Sequence, residues 1–145
     1  MLKIYFAGDH AGFELKNALI ESVREAGHEA FDLGPHTLDS ADDYPDYVTP
    51  CAQKVSDEPG AFGIIIGASG EGEAMAANRV KGTRAAEWYG GSLDIIRLSR
   101  EHNDANILSL GARFVSADEA GEAVHTFLTT PFSGAERHLR RIAKF

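Results

Sequence analysis

The stretch Ala61-Phe62-Gly63-Ile64-Ile65-Ile66-Gly67, followed by Ala68-Ser69-Gly70-Glu71-Gly72, decides the fold. An unbroken apolar run of this length, closed by glycine, suits a central strand of a parallel sheet, buried on both faces. The glycine-rich turn opens a helix near Glu73 that runs to Asn78. Outward from this point, strand-length apolar runs alternate with helical patterns. Towards the N-terminus, Leu2–Ala7 reads as a strand, and Phe13, Leu15, Leu19, Val23 and Ala26 mark one face of a helix closed by Gly27. Glu29–Leu33 is a second strand, Gly34 to Pro45 a long polar loop, and Asp46–Ser56 a helix that tolerates Pro50 only near its first turn. Towards the C-terminus, Arg84–Glu87 is a fourth strand and Asn106–Leu110 a fifth. Ser92–Arg100 forms a helix with Leu93, Ile95 and Ile96 inside, and Ala117–Leu128 one with Ala120, Val124, Phe127 and Leu128 on one stripe. A last helix begins near Ser133, with Ser133 as N-cap and Glu136 three residues on. Met75 is expected in the core, Trp88 at a surface or interface, and Cys51 packed inside a helix. The order predicts a three-layer α/β/α Rossmann-like (flavodoxin-like) sandwich on a five-stranded parallel sheet, one domain over 1–145.

Composition narrows the function. The chain has 145 residues, 43% hydrophobic and 25% charged, with a net charge of −8. That balance argues against a nucleic-acid or membrane-surface partner, both of which need clustered positive charge. No apolar run approaches a membrane span, and Met1–Phe6 reads as a first strand and not as a signal peptide. The single Cys51 allows no internal disulfide and makes a reducing cytoplasm the expected location. Charge is uneven: residues 32–58 carry seven acids and one base, whereas the last thirteen residues carry Arg137, Arg140, Arg141 and Lys144 against Glu136 alone. That cationic tail is either a solvated helix end or a site for a small anion.

In parallel sheets ligands collect at the carboxyl ends of the strands. The segments expected there are Asp9-His10 after strand one, Gly67 to Glu73 after strand three, and Glu101 to Asp104 and Gly111 to Arg113 around strand five. The glycine loop fits neither G-x-G-x-x-G, since Met75 holds the third glycine position, nor a Walker A loop, since Glu73 follows Gly72. It still offers backbone N–H groups to an anion, or it is a plain tight turn. Glu73 near the first helical turn suits a base that the helix dipole keeps ionised. His102 reads as a general acid, a metal ligand or an ordinary polar residue. Asn103 and Asp9 are candidate contacts for a substrate hydroxyl. No H-x-x-H spacing supports a metal site from Asp9, His10 and His102. Arg113, Arg137 and Arg141 are candidates for a phosphate clamp; the last two are i, i+4 on one helix face, with His138 turned towards another wall.

Taken together, Gly8-Asp9-His10-Ala11-Gly12, Asp43-Tyr44-Pro45, Gly70-Glu71-Gly72-Glu73, Ala76-Ala77-Asn78-Arg79, Ser99-Arg100-Glu101-His102-Asn103 and Arg137-His138 resemble the type B ribose-5-phosphate isomerases, relatives of the galactose-6-phosphate isomerase subunits. The resemblance covers nearly the whole chain. It implies a metal-independent, cofactor-free aldose–ketose isomerase acting on a sugar phosphate. It further implies a homodimer or a dimer of dimers with each site shared between subunits, the helix over about 133–145 completing the site or the interface. One branch of the family uses a cysteine at the end of strand three; Gly67 stands there, so the sequence resembles the branch with a glutamate base, matched by Glu73. By the same resemblance His102 is the ring-opening acid. Ser69, with Ala68, Gly70, Glu71 and Gly72, lines the pocket for the enediolate. Asp9, Tyr44 and Asn103 contact the sugar, and His10, Arg113, Arg137 and Arg141 the phosphate. Ala68 stands where this branch has glycine, and the Glu87–Gly91 stretch is about two residues longer, which leaves a tetrose, allose or galactose phosphate as an alternative substrate. A noncatalytic phosphate- or nucleotide-binding module is the alternative from another class.

Overall fold

The computed structural model describes residues 1–145. Five strands, β1 (Lys3–Gly8), β2 (Glu29–Asp32), β3 (Phe62–Gly67), β4 (Ala85–Trp88) and β5 (Ile107–Gly111), form one all-parallel sheet in the order β2-β1-β3-β5-β4. The helices are α1 (Phe13–Glu25), α2 (Pro45–Asp57), α3 (Glu71–Ala77), α4 (Asp94–Asn103), α5 (Ala117–Thr129) and α6 (Glu136–Ile142), with a 3-10 turn at His10–Gly12. The expected α/β/α sandwich is therefore present. Period-two alternation divides the strands between two cores. Ile4, Phe6, Ile64, Ile66, Leu108 and Leu110 pack against α1, α4 and α5. Tyr5, Ala7, Ile65 and Ile107 pack against Val48, Cys51, Ala52 and Val55 of α2 and Ala77 of α3. Strand β3 is central, as its apolar run demands, and the direction in which successive strands are added reverses between β1 and β3, the switch point where such sheets bind ligands.

Helix ends follow their local chemistry. Helix α1 closes on Gly27 (φ 86°), with the His28 N–H bonded to the Val23 carbonyl and the Gly27 N–H to that of Arg24, a Schellman arrangement. Helix α5 opens with a capping box of Ser116 and Glu119. Several expectations are corrected. Helix α6 begins at Glu136 with Ala135 as N-cap, because the Ser133 hydroxyl instead accepts from the Ala135 N–H in a local turn. Pro50 lies in the second turn of α2, on its solvent side, where a missing N–H is tolerated. Met75 is exposed on α3 and Ile95 on α4, whereas Trp88 is buried with its indole N–H on the Ser92 carbonyl. The exposure of Met75 and Ile95 has one cause: β4 is the edge strand, so α3 and α4 cover the sheet there from one side each and leave their outer flanks bare. Ala26, the residue after α1, is exposed, and the buried face of the helix is Lys16, Leu19, Ile20 and Val23.

Lys16 is fully buried, and its ammonium bonds both oxygens of Asp32 at 2.6 and 2.7 Å. Asp32 also accepts from the Gly34 N–H, so this pair ties α1 to the exit of β2. Asp32→Ala leaves an uncompensated buried cation. We expect a loss of about 3 kcal/mol in urea unfolding, the lower end for such pairs because Asp32 is a quarter exposed. The double variant Lys16→Met, Asp32→Leu should recover most of it.

Candidate active site

At the switch point the β1 exit turns sharply because Asp9 caps the 3-10 turn, its Oδ1 accepting from the Ala11 and Gly12 N–H groups at 2.9 and 3.3 Å. Gly12 permits the close approach: a Cβ there would strike the backbone and side chain of Ile66. The β3 exit is built as tightly. Gly70 adopts a left-handed conformation (φ 85°) against the Leu110 carbonyl, and the Ser109 hydroxyl donates to the Gly70 carbonyl at 2.6 Å. Ser69 accepts from the Glu71 N–H, while Ala68 and Gly67 receive the N–H groups of Arg113 and Ala112. The turn is thus pinned to β5 from both sides. Tyr44 reaches over it from α2; its hydroxyl lies against Gly72, where a Cβ would collide.

Glu73 points back from α3 to the end of β3. Its carboxylate occupies the volume a Cβ on Gly67 would fill, and the residue is 4% exposed. Burial pushes its pKa above the ordinary carboxylate range, and the Asp9 charge pushes the same way. Desolvation here outweighs the opposing effect of the hydrogen bond from its own N–H. Glu87, on β4, is a further acid, half-buried, to which the sequence assigned no role at the site. Its Oε1 has no hydrogen-bond partner, and burial, then Glu71 and Glu73, raise its pKa to about 7.

Around His10 the structure adds Asp42 from the long 34–45 loop. The His10 Nδ1 lies 2.7 Å from Asp42 Oδ1, which also accepts the His10 backbone N–H at 3.2 Å. Asp9, His10 and Asp42 bring three ligand-type atoms within 4.8 Å of one another. These donors are already engaged, Asp9 by two backbone N–H groups and Asp42 by His10, so the trio reads as a cap and an ion pair. Arg113 stands at the β5 exit, near enough to act on the His10 charge.

Not all predicted residues gather here. Asp9, His10, Tyr44, Ala68, Ser69, Gly70, Glu71, Gly72, Glu73 and Arg113 share the carboxyl end of the sheet. His102 and Asn103 end α4 and precede β5, so they lie at the amino end, about one strand length (roughly 16 Å) away. The expectation that they join the ligand end within one chain is corrected, because a helix returning to a parallel strand delivers its C-terminus to the opposite edge. There they form a second cluster. His102 stacks on His138 of α6 with ring centroids 4.3 Å apart and planes 16° apart. Arg137 and Arg141 are exposed on α6; burial, then the charges of Arg137, His102 and Arg141, lower the His138 pKa. The backbone beneath is fixed by Arg84, which donates to the Asn103 and Asp104 carbonyls, and by Arg100 on Asp104 Oδ1 at 2.8 Å. His138, expected on another wall, belongs to this cluster.

A family model described as Ribose/Galactose Isomerase matches residues 4–145. The chain belongs to this family. It is 43% identical over 141 residues to the ribose-5-phosphate isomerase B of Mycobacterium tuberculosis, covering 97% of this chain and 86% of that protein. Among solved structures, the ribose-5-phosphate isomerase B of Mycoplasma genitalium with bound ribulose-5-phosphate superposes with a TM-score of 0.93 at 40% identity, covering 99% of this chain and 93% of that one. The enzyme from Thermotoga maritima gives 0.91 at 43% identity, covering 99% and 96%. No helix is long and apolar enough to cross a membrane.

Proposed function

We propose that this family member is an aldose–ketose isomerase that interconverts ribose 5-phosphate and ribulose 5-phosphate, with Glu73 as the base. The observation that carries the assignment is the buried Glu73 carboxylate, seated on Gly67 beside Asp9 and under Tyr44. Moving a proton between C1 and C2 of an aldose needs one base that serves both carbons, donors for the enediolate oxygens, and a hold on the phosphate. Glu73 removes the C2 proton and returns it to C1. Its raised pKa brings it nearer the operating pH, which makes the return as easy as the abstraction. Ser69 and the N–H groups of the 68–72 turn stabilise the enediolate oxygens. Asp9 and Tyr44 receive sugar hydroxyls, and His10 and Arg113 receive the phosphate.

Ring opening needs an acid, and His102 stands at the far end of the same chain. The site is completed by a second copy: the partner's His102 and Asn103 face the sugar, and the partner's Arg137 and Arg141 grip the phosphate. The bare flank of the β4 edge supports the pairing. Met75, Tyr89, Ile95, Leu98, Phe114 and Leu139 are all large, apolar and more than 40% exposed on the elements that surround it. Helix α6, with the residues around it from about 133 to 145, serves this shared site.

Ribose 5-phosphate turnover measured in the presence of EDTA, beside erythrose 4-phosphate and allose 6-phosphate, tests the reading. The pentose phosphate should give the highest kcat/KM, undiminished by chelation. Glu73→Gln should fold normally and lose about 10²–10⁴-fold in kcat. The acid limb of kcat/KM should lie above the ordinary glutamate range, because a base with a raised pKa is protonated and lost sooner as pH falls. Gly67→Ala drives a methyl into the Glu73 carboxylate and should cut kcat more than it raises KM, with little change in Tm. Glu73→Gln and His102→Asn, each inactive alone, should regain about one quarter of wild-type activity when mixed and allowed to exchange subunits, since mixed dimers carry one intact site. Failure of the mixture to regain activity would assign the acid to the same chain.

A further inference from the structure

The 34–45 loop contributes one side chain that the scheme above leaves unused. Asp42 lies beside His10, with its side chain 4% exposed while the imidazole is 35% exposed. Its Oδ1 holds both the ring Nδ1 and the backbone N–H of His10, and its Oδ2 is buried without a partner. A carboxylate so enclosed has only the imidazole for a counter-charge. A ring held through Nδ1 presents Nε2 on the opposite side, and this is the only ring nitrogen left to meet a ligand.

We propose that Asp42 is a positioning residue that fixes the His10 ring and its charge so that the Nε2–H is offered to an anionic oxygen of the substrate's phosphoryl group. The inference rests on the isomerase reading and deepens its phosphate subsite. Every charged group that faces His10 bears on it. The hydrogen bond that the ring donates to Asp42 raises the imidazole pKa most; Asp9 raises it further, while partial desolvation and Arg113 oppose. With the pKa raised, a larger share of the rings is cationic at a given pH than for an unassisted histidine. A doubly charged phosphate monoester then meets imidazolium and guanidinium together, from the β1 and β5 exits. The arrangement also accounts for the buried acid itself, which would otherwise destabilise the loop.

The charge and the shape of Asp42 separate experimentally. Asp42→Asn keeps an oxygen to accept the Nδ1–H but removes the charge; Asp42→Ala removes both. First, the His10 Hε1 resonance is titrated in wild type and in Asp42→Asn. The midpoint should fall by about one unit or more in the variant, and adding inorganic phosphate should raise it in wild type. Second, the ratio of KM for ribose 5-phosphate, variant over wild type, is followed with pH. It should be about ten-fold near pH 8 and approach one near pH 5.5, where His10 is protonated in both proteins, with the larger effect on KM and not on kcat. Taking the ratio cancels the titration of the substrate's own phosphate. Asp42→Ala should not recover at low pH, because its ring is unheld. An unchanged midpoint, or a KM ratio that does not vary with pH, would overturn the proposal and reduce Asp42 to a loop anchor. If wild type does not isomerise ribose 5-phosphate, the isomerase reading fails by itself. The response of the His10 midpoint to inorganic phosphate then decides the anion subsite alone: a rise supports it and no response overturns it.

Discussion

The contact between the Glu73 carboxylate and the bare Cα of Gly67 sets the terms for the rest of the site. A side chain at 67 and a carboxylate from 73 claim the same volume, so the end of the central strand can present one or the other. Choosing the glutamate imposes the rest of the turn. The carboxylate must return over only six residues, which forces the left-handed Gly70, the hydrogen bond from Ser109, and a glycine at 72 beneath Tyr44. Each member is a close approach that a larger residue would open. The outcome is an acid removed from water at the point where β1 and β3 part, with Asp9 as its charged neighbour. Desolvation on this scale disfavours the ionised form, and the tight turn holds the group there nonetheless.

The second constraint is the polarity of the sheet. Every strand runs the same way, so loops leaving strands and helices returning to strands meet at opposite edges. Asp9, Glu73 and Arg113 follow strand ends; His102, Asn103 and the α6 arginines follow helix ends or lie beside them. No rotamer brings the two groups together within one chain. A fold that is complete as a sandwich is therefore incomplete as the proposed catalyst, and its bare apolar surface lies around the edge strand that separates the two clusters. The stacked His102 and His138 rings join α4 to α6, beside the network of Arg84, Arg100 and Asp104 that fixes the end of α4.

The layers and the succession of strands and helices were legible because they depend on periodicity. Ile64, Ile65 and Ile66 declare a strand buried on two faces, and Leu19 and Val23 a helix buried on one. Positions near the edge strand were misread for the same reason: Met75 and Ile95 have core-like chemistry, and only the sheet order reveals that nothing in the chain covers them. At the site, the glycine loop and Glu73 announced themselves through spacing, whereas the burial that lifts the Glu73 pKa did not. Asp42 gave no signal. Its meeting with His10 spans 32 residues and depends on how a loop without regular structure folds back. The division of His102 from Glu73 follows from chain direction alone and was available once helix α4 and strand β5 had been assigned.

Charge supplies an independent reason for pairing the two clusters. The carboxyl-end cluster contains Asp9, Asp42, Glu71, Glu73 and Glu87 against His10 and Arg113, in a chain of net charge −8. A sugar phosphate approaching that end alone meets more negative than positive charge, and at physiological salt only groups within about 8 Å count for much. The amino-end cluster has the opposite character, with Arg137 and Arg141 exposed and the His138 pKa lowered beside them. In the proposed pairing, that surface offsets the acidic one and supplies guanidinium groups to the phosphate. An acid-rich site is what a proton-abstracting carboxylate with a raised pKa requires, and a base-rich wall is what a phosphate requires. Carried on opposite ends of one subunit, the two do not cancel before a second copy arrives, and the complete environment forms only where the proposed chemistry takes place.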